Sequence, residues 1–399
     1  MAIAAENNKI GLLTAIIISI NAMLGAGIFL LPRKMALLCG PVGILTTICV
    51  AATVWFIGYC IARVATNIPG EGSFYLYTKQ WGGHRLGLIV SSLYIIGLTI
   101  AMGLLFRTAG DYLHHYFPST DPLYLGAVLW AIVVALNISG AHLSSIGQRV
   151  LIVTTVAPLI LITILCFSKA HIGYLVPFAP YGYTSALFAT RLVIFGFFGF
   201  EAIAALVPYL RDPQRTAPRA LMFAITAVGV LYICFLSSFF LSIPLQIFSS
   251  TSTIPQALGY LFPQSAWLTE LINIAILSAL IGCSHSIIWS VSNLTLSLIK
   301  SFNNTVGLMA RSQPQLMQKI AVIIVGLGVL ISFITLSSDQ FFSFTALLVV
   351  TAYVSTIITL LTIKKERTVK NLIIIILALL GALMILGVAV DGILTSFIH

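Results

Sequence analysis

Apolar positions along this chain come in long unbroken runs, not in alternation. Eleven runs approach or exceed the ~20 residues that carry a helix across a bilayer: 10–31, 41–67, 86–113, 122–140, 146–168, 185–208, 219–243, 266–299, 319–337, 341–363 and 371–395. None has the ten-residue alternation of a barrel strand. The pattern therefore predicts an all-α polytopic membrane protein of about eleven helices. The longest connecting segments are 169–184, 244–265 and 300–318, and the first two are rich in Pro, Tyr, Ser and Phe. Residues 254–262 read as a short amphipathic helix. No connection is long enough for a soluble domain, so residues 1–399 form one membrane unit with its function inside the bilayer.

Composition sharpens this picture by exclusion. Apolar residues make up 59% of the chain and charged residues 8%, against about 45–50% and about 25% in soluble domains. Too little polar surface exists to cover a soluble enzyme, a nucleic-acid-binding module or a secreted disulfide scaffold. The six cysteines lie in or beside apolar runs, without a C-x-x-C pair, and read as small buried hydrophobes. No small-residue cleavage site follows the first run, which reads as a spanning helix and not as a removed signal peptide. The formal charge of +10 resolves once its carriers are located. With the N-terminus inside, fourteen Lys and Arg fall in inner segments and four in outer ones, Arg33, Lys34, Arg107 and Lys169. That asymmetry predicts an inner N-terminus and an outer C-terminus. It directs the basic charge to the inner lipid leaflet, and no nucleic-acid partner is expected.

Interruptions within the runs carry the chemistry, because backbone leaves a helix at membrane depth only where it lines a cavity or is buried in protein. The first run contains Asn21-Ala22-Met23-Leu24-Gly25-Ala26-Gly27-Ile28-Phe29, followed by Pro32. The sixth contains Phe195-Gly196-Phe197-Phe198-Gly199-Phe200-Glu201. Each places two glycines near mid-span, where glycine costs a helix about 1 kcal/mol relative to alanine. Close helix packing would also use such glycines. Their matching places, as the first helix of each of two five-helix sets, point instead to paired broken helices around a binding site. The sets are about 10–168 and 185–363, with an extra helix at about 371–395.

The string Gly25-Ala26-Gly27-Ile28-Phe29 resembles the first-helix signature of amino acid permeases of the amino acid–polyamine–organocation (APC) superfamily. Ile68-Pro69-Gly70-Glu71-Gly72-Ser73-Phe74-Tyr75 is similar to that family's Pro-x-x-Gly-x-x-Tyr stretch. Phe197-Phe198-Gly199-Phe200-Glu201 and then Asp212-Pro213-Gln214-Arg215-Thr216-Ala217-Pro218-Arg219-Ala220 resemble its sixth helix and following loop. Asn21 through Pro32 looks closest to the arginine/agmatine antiporter branch, while the length is more like small bacterial amino acid exporters. The resemblance implies a five-plus-five inverted-repeat (LeuT-like) fold with helices 1 and 6 broken, in a bacterial cytoplasmic membrane. It further implies an amino acid substrate whose carboxylate meets free N–H groups near Gly25, Ala26 and Gly27. Carbonyls near Phe195–Phe198 would meet its ammonium, and Phe195 would close over it. An unwound turn does leave N–H donors at the positive end of the next half-helix.

Substrate-binding candidates are Asn21, Leu24, Gly25, Ala26, Gly27, Ile28, Phe195, Phe198, Gly199, Glu201 and Trp289. Coupling or gating candidates are Glu201, Thr155, Ser284, Ser286 and His285. Glu201 is the one acidic residue deep within a run, and ionisable groups there are functional candidates by default; bracing or protonation fits it better than substrate recognition. Thr155 stands where proton-coupled relatives can carry a lysine, and Ser284 and Ser286 offer hydroxyls to a sodium ion. No cofactor or metal is expected beyond a coupling H+ or Na+. His285 could titrate near neutral pH, and Trp289, four residues on, shares its helical face. Arg191 reads as snorkelling to the interface. Departures from the family pattern are the eleven runs, where twelve are usual, and Tyr209, where Glu is common. The reading that results is a secondary active transporter of amino acids, with a neutral substrate favoured by the apolar candidates. Alternatives are a basic amino acid or polyamine antiporter of the same fold, or a membrane enzyme or channel. Membrane lipids are expected partners, and the oligomeric state stays open.

Overall fold

The computed structural model describes residues 9–70, 72–140, 145–205, 210–250 and 253–396. Glu71 of the Pro-x-x-Gly-like stretch and Tyr209 lie outside the described residues. Helices account for nearly all of the rest. They are α1 Leu12–Met23, α2 Ala26–Leu38, α3 Gly43–Asn67, α4 Ser73–His114, α5 Pro122–Ile138 and α6 Ser145–Phe167. The second half holds α7 Thr184–Phe188, α8 Thr190–Phe197, α9 Ala202–Ala205, α10 Pro213–Ser242, α11 Leu245–Ser250 and α12 Ile254–Leu261. The chain ends with α13 Ala266–Lys300, α14 Thr305–Ser312, α15 Pro314–Thr335, α16 Ser338–Thr362 and α17 Val369–Ser396. Among the described residues nine segments are long and apolar enough to cross a membrane, α1 and α2 counting as one. Two shorter apolar helices, Pro122–Ile138 and Thr184–Phe197, bring the set to the eleven that the pattern predicts.

Local chemistry explains where these helices begin. Pro122 takes the first position of α5, where its missing N–H costs nothing, and the Asp121 carboxylate accepts from the Leu123 N–H at 2.7 Å. Thr253 and Gln256 form a capping box on α12, in accord with the short helix read at 254–262. The boundaries differ most from the apolar runs in two places. The first span continues through Pro32 to Leu38. The third starts at Ser73 and is bent at Gly83, whose φ of 74° is open to glycine.

Packing sets α1, α2, α8 and α9 at the centre. Around them α4 lies along α16, and α3 lies along α10. The last span, α17, docks on α16 and α3. A polar clamp fixes this outer corner. Arg63 on α3 donates to both carboxylate oxygens of Glu366 at 2.7 and 2.8 Å. Asn67 and Asn371 add bonds of 2.9 and 3.0 Å. Glu366 is only 2% exposed. Its burial raises the carboxyl pKa, but the bonds from Asn67 and Arg63 outweigh burial and hold it below the usual glutamate range. Arg191 is also held and does not snorkel freely: it donates to Ser343 on α16 at 3.2 Å and passes over Gly392 of α17 with no room for a Cβ there.

A cleft between two broken helices

The first break is two residues long. Leu24 (φ −76°, ψ 80°) and Gly25 (φ −119°, ψ −144°) leave the helix between α1 and α2. The Gly25 N–H turns back to the Met23 carbonyl at 2.9 Å. It is therefore not one of the free donors expected there. The donors at the start of α2 belong to Ala26, Gly27 and Ile28, and the cap residue, Gly25, has no side chain to bond them. The second break runs from Phe198 (φ −58°, ψ 140°) to Glu201, with Gly199 at φ 108°. A Cβ on Gly199 would also collide with the Ala22 carbonyl oxygen. The two breaks thus touch each other directly.

Gly27 does not unwind. It lies inside α2, and a Cβ there would collide with Gly196 Cα on α8. These two glycines let the outer halves of the broken helices meet backbone to backbone, which is the packing role of small residues in membranes. Gly25 faces Cys283 on α13, whose Sγ would stand 2.8 Å from an added Cβ.

Glu201 braces the second break. Its carboxylate accepts from the Tyr94 hydroxyl at 2.9 Å and from the Gly199 N–H at 3.2 Å. It is 1% exposed. The Tyr353 ring packs at a tilt against Phe198 and Phe200, with centroids 6.2 and 5.3 Å away. Tyr232 on α10 joins the two breaks: its hydroxyl lies 3.0 Å from the Met23 carbonyl and 2.6 Å from that of Gly196. Having one proton, it shares it between them. The Cys283 thiol adds a contact of 3.1 Å to the Ala22 carbonyl. Several carbonyls expected to face a substrate ammonium are therefore engaged: Phe195 accepts from the Phe198 N–H at 3.3 Å and Phe197 from the Phe200 N–H at 3.4 Å. Each carbonyl retains a second lone pair.

Between the breaks lies a cleft of about 10 Å³, room for roughly one water. Its walls are Met23, Gly25, Ala26 and Gly27, then Leu98, Ala101, Met102 and Leu105 of α4, with Phe195, Phe198, Cys283 and Ile287. No charged side chain is among them. Of the residues singled out in the sequence, Gly25, Ala26, Gly27, Phe195 and Phe198 meet here. Asn21, Leu24, Ile28, Gly199 and Glu201 are buried around the cleft without lining it. Trp289 is turned away. Cys283 and Ile287 present the cleft-facing side of α13, and Trp289, two residues past Ile287, lies about 200° round the helix. The coupling candidates do not converge on one point. Thr154 bonds Ser278 at 2.6 Å, and Gly282 packs on Leu151. This antiparallel register sets Thr155 near the level of Ser278, roughly 12 Å along α13 from Ser286. Thr155, Ser284, His285 and Ser286 are all buried. Among the described residues no group of His, Cys, Asp and Glu could hold a metal ion.

Sequence reasoning missed the α4 wall and the three tyrosines. Leu98, Ala101, Met102 and Leu105 do recur at helical spacing, but periodicity cannot say which neighbour their face meets. Tyr94, Tyr232 and Tyr353 sit in apolar runs with no local signal.

Both ends of the cleft are shut. On one side Phe195 meets Phe342 edge-on at 4.9 Å. Beyond it Lys34 pairs with Asp339 at 3.3 Å and lies 5.7 Å over the Phe342 ring. At the other end an isolated bridge joins Ile10 to Leu210, and the Arg211 N–H donates to the Ile10 carbonyl at 2.9 Å.

Comparison with known proteins agrees with this arrangement. The profile described as "Amino acid permease" matches residues 10–397. An uncharacterized transporter of Mycobacterium tuberculosis is 27% identical over 313 residues, covering 73% of this chain and 66% of that protein. An uncharacterized amino acid permease of Bacillus subtilis, YecA, is 26% identical over 54% of this chain and 51% of its own. The inner membrane transport protein YbaT of Escherichia coli is 27% identical over 57% and 54% respectively. The matched part thus spans about half to two thirds of these curated relatives. A Na+-coupled sialic acid symporter, solved substrate-bound and outward-open, superposes with a TM-score of 0.64 at 13% identity. That match covers 97% of this chain and 90% of the symporter, and it shows the fold alone. This multi-pass membrane chain, with its five-plus-five inverted-repeat (LeuT-like) architecture and broken first and sixth spans, belongs to the amino acid permease family.

Proposed function

We propose that the protein is a secondary active transporter that carries neutral amino acids through the cleft by alternating access. One observation carries the reading: the start of α2, with Gly25 as its cap residue, and the opened end of α8 face one apolar cleft with no charged side chain in its wall. The positive end of α2 suits a carboxylate and the negative end of α8 an ammonium. A zwitterion with a small apolar side chain matches both ends and the walls. The cleft as it stands is too small for any amino acid, so this is a contracted conformation. Loading requires the Phe195–Phe342 contact to part on one side, or the Ile10–Leu210 bridge on the other. Glu201 braces the break and does not select the substrate. By the distribution of Lys and Arg, the Ile10 end is cytoplasmic, in a bacterial cytoplasmic membrane.

Counterflow in proteoliposomes tests this reading. Vesicles loaded with one unlabelled amino acid at a time are assayed for uptake of a labelled neutral one, with and without sodium and a pH gradient. Uptake driven by small neutral amino acids is expected. Uptake driven only by arginine or polyamines would overturn the neutral assignment. No uptake with any amino acid would remove the amino acid reading altogether. The ion dependence chooses between H+ and Na+ coupling, and so between Thr155 and the pair Ser284 and Ser286 as the next positions to change.

A further inference from the structure

A second, larger hollow lies away from the cleft. It measures about 490 Å³ and runs between α1, α6 and α10. It opens to the bilayer, since Ile160, Ile164 and Val230 on its rim are 46%, 60% and 57% exposed. On α6 it follows Ile152, Val156, Ile160 and Phe167, which share one helical face over roughly 22 Å. One leaflet's hydrocarbon is about 15 Å deep, so the hollow has the length for an acyl chain.

Each of the two helices carries an arginine ahead of the residues that line the hollow. Arg149 precedes Ile152 by one turn on the same face of α6, and Arg219 stands in line with Val230 on α10. Both arginines are exposed. They sit at the same end of the hollow, because the far ends of the two helices meet: the His171 N–H, just after α6, donates to the Leu241 carbonyl of α10 at 2.6 Å. Helices joined at their C-terminal ends and packed side by side run parallel. A long apolar slot facing lipid, with an exposed arginine on each helix beyond the same end of it, matches an amphiphile with an anionic head.

We propose that this groove binds an anionic phospholipid, its acyl chain lying along α6 and α10 and its phosphate held between Arg149 and Arg219. The floor of the groove includes Ile20 of α1, four residues before Leu24, where the helix breaks. A chain seated there braces α1 from the membrane side and opposes its outward movement. Lipid composition then biases the conformation of the broken helix. The binding claim stands independently of the transport reading.

The test is a titration of the purified full chain in detergent, read by thermal unfolding and by native mass spectrometry of lipid adducts. The probes are dioleoylphosphatidylglycerol, dioleoylphosphatidylcholine and inorganic phosphate. Saturable stabilisation by phosphatidylglycerol is expected, with phosphatidylcholine and phosphate much weaker. The R149A/R219A double variant should weaken phosphatidylglycerol binding by about tenfold, whereas K319A/K370A, which removes two other exposed lysines, should leave it unchanged. Cys234→Trp, which fills the groove, should lower binding with both arginines present. Hydrogen exchange across 12–23 should slow when the lipid binds. Equal effects of the two lipids, or equal losses in the arginine and lysine variants, would overturn the proposal. So would stabilisation by phosphate alone, which would indicate an adventitious anion site.

Discussion

The two breaks at the centre of the molecule solve the same problem by different means. In the first, two residues leave the helix without any positive φ, and the freed carbonyls are held by side chains from elsewhere, Tyr232 on α10 and Cys283 on α13. In the second, the chain turns through Gly199 at φ 108° and is held by its own Glu201, with Tyr94 and the Tyr232 hydroxyl on the Gly196 carbonyl as outside support. One break depends on tertiary partners, and the other carries most of its device in local sequence. The first should therefore respond to changes on distant helices, and the second to changes within its own few residues.

The largest effect is expected at Gly199. Alanine there combines a backbone conformation costing about 1–3 kcal/mol with a collision against the Ala22 carbonyl. Gly199→Ala should lower stability by roughly 3 kcal/mol or more and abolish counterflow, measured by thermal unfolding and by uptake. Folding and flux near those of the unaltered protein would refute the touching of the two breaks.

Next in size is Glu201. Glu201→Ala frees the Tyr94 hydroxyl and the Gly199 N–H in a buried site, which costs about 2–4 kcal/mol. Glu201→Gln keeps an acceptor and should retain folding and the same substrate preference at a reduced rate. A changed substrate preference in Glu201→Gln, read by competition in counterflow, would make this residue a recognition group instead of a brace.

The Arg63–Glu366 clamp serves as a control far from both breaks. Arg63→Ala should cost about 2–3 kcal/mol while leaving substrate preference intact. Because the Glu366 carboxyl titrates below its usual range, its contribution is present above about pH 4.3, the ordinary glutamate value. That contribution is lost as pH falls through the lower folded value. Unfolding measured between pH 3 and 6 should show this dependence in the unaltered chain and lose it in Glu366→Gln.

Two smaller effects probe how the first break is held. Tyr232→Phe removes the hydroxyl shared by Met23 and Gly196, for about 1–2 kcal/mol. Gly25→Ala presses on the Cys283 sulfur, the end of a side chain, so its cost should fall at the low end of overpacking, about 1 kcal/mol. Cys283→Ala should relieve that cost in the double variant. Additive losses in a double-mutant cycle would mean that the first break is not stapled by α13.

Legibility in the sequence followed the range of the interactions. Paired glycines at mid-span announced both breaks, because unwinding is a local property of backbone and residue type. Their individual roles were not legible. Gly27 looked like an unwinding residue, yet it allows contact with Gly196, a residue 169 positions away. Trp289 shared a face with His285 as expected, but the cleft met a different face of α13, and rotation about a helix axis is set by its neighbours. The two arginines beside the groove were legible only as carriers of charge, and their placement beyond the same end of it was not.

The sequence by itself determined that the chain spans a membrane about eleven times and that its first and sixth spans break. Each follows from hydropathy and backbone preference over about twenty residues or fewer. Only the tertiary structure decided which N–H and carbonyl groups remain open and which tyrosines hold the breaks. It also decided that α6 and α10 leave a slot on the lipid side. Those features depend on the rotation and register of packed helices, which arise from contacts between residues far apart in the chain.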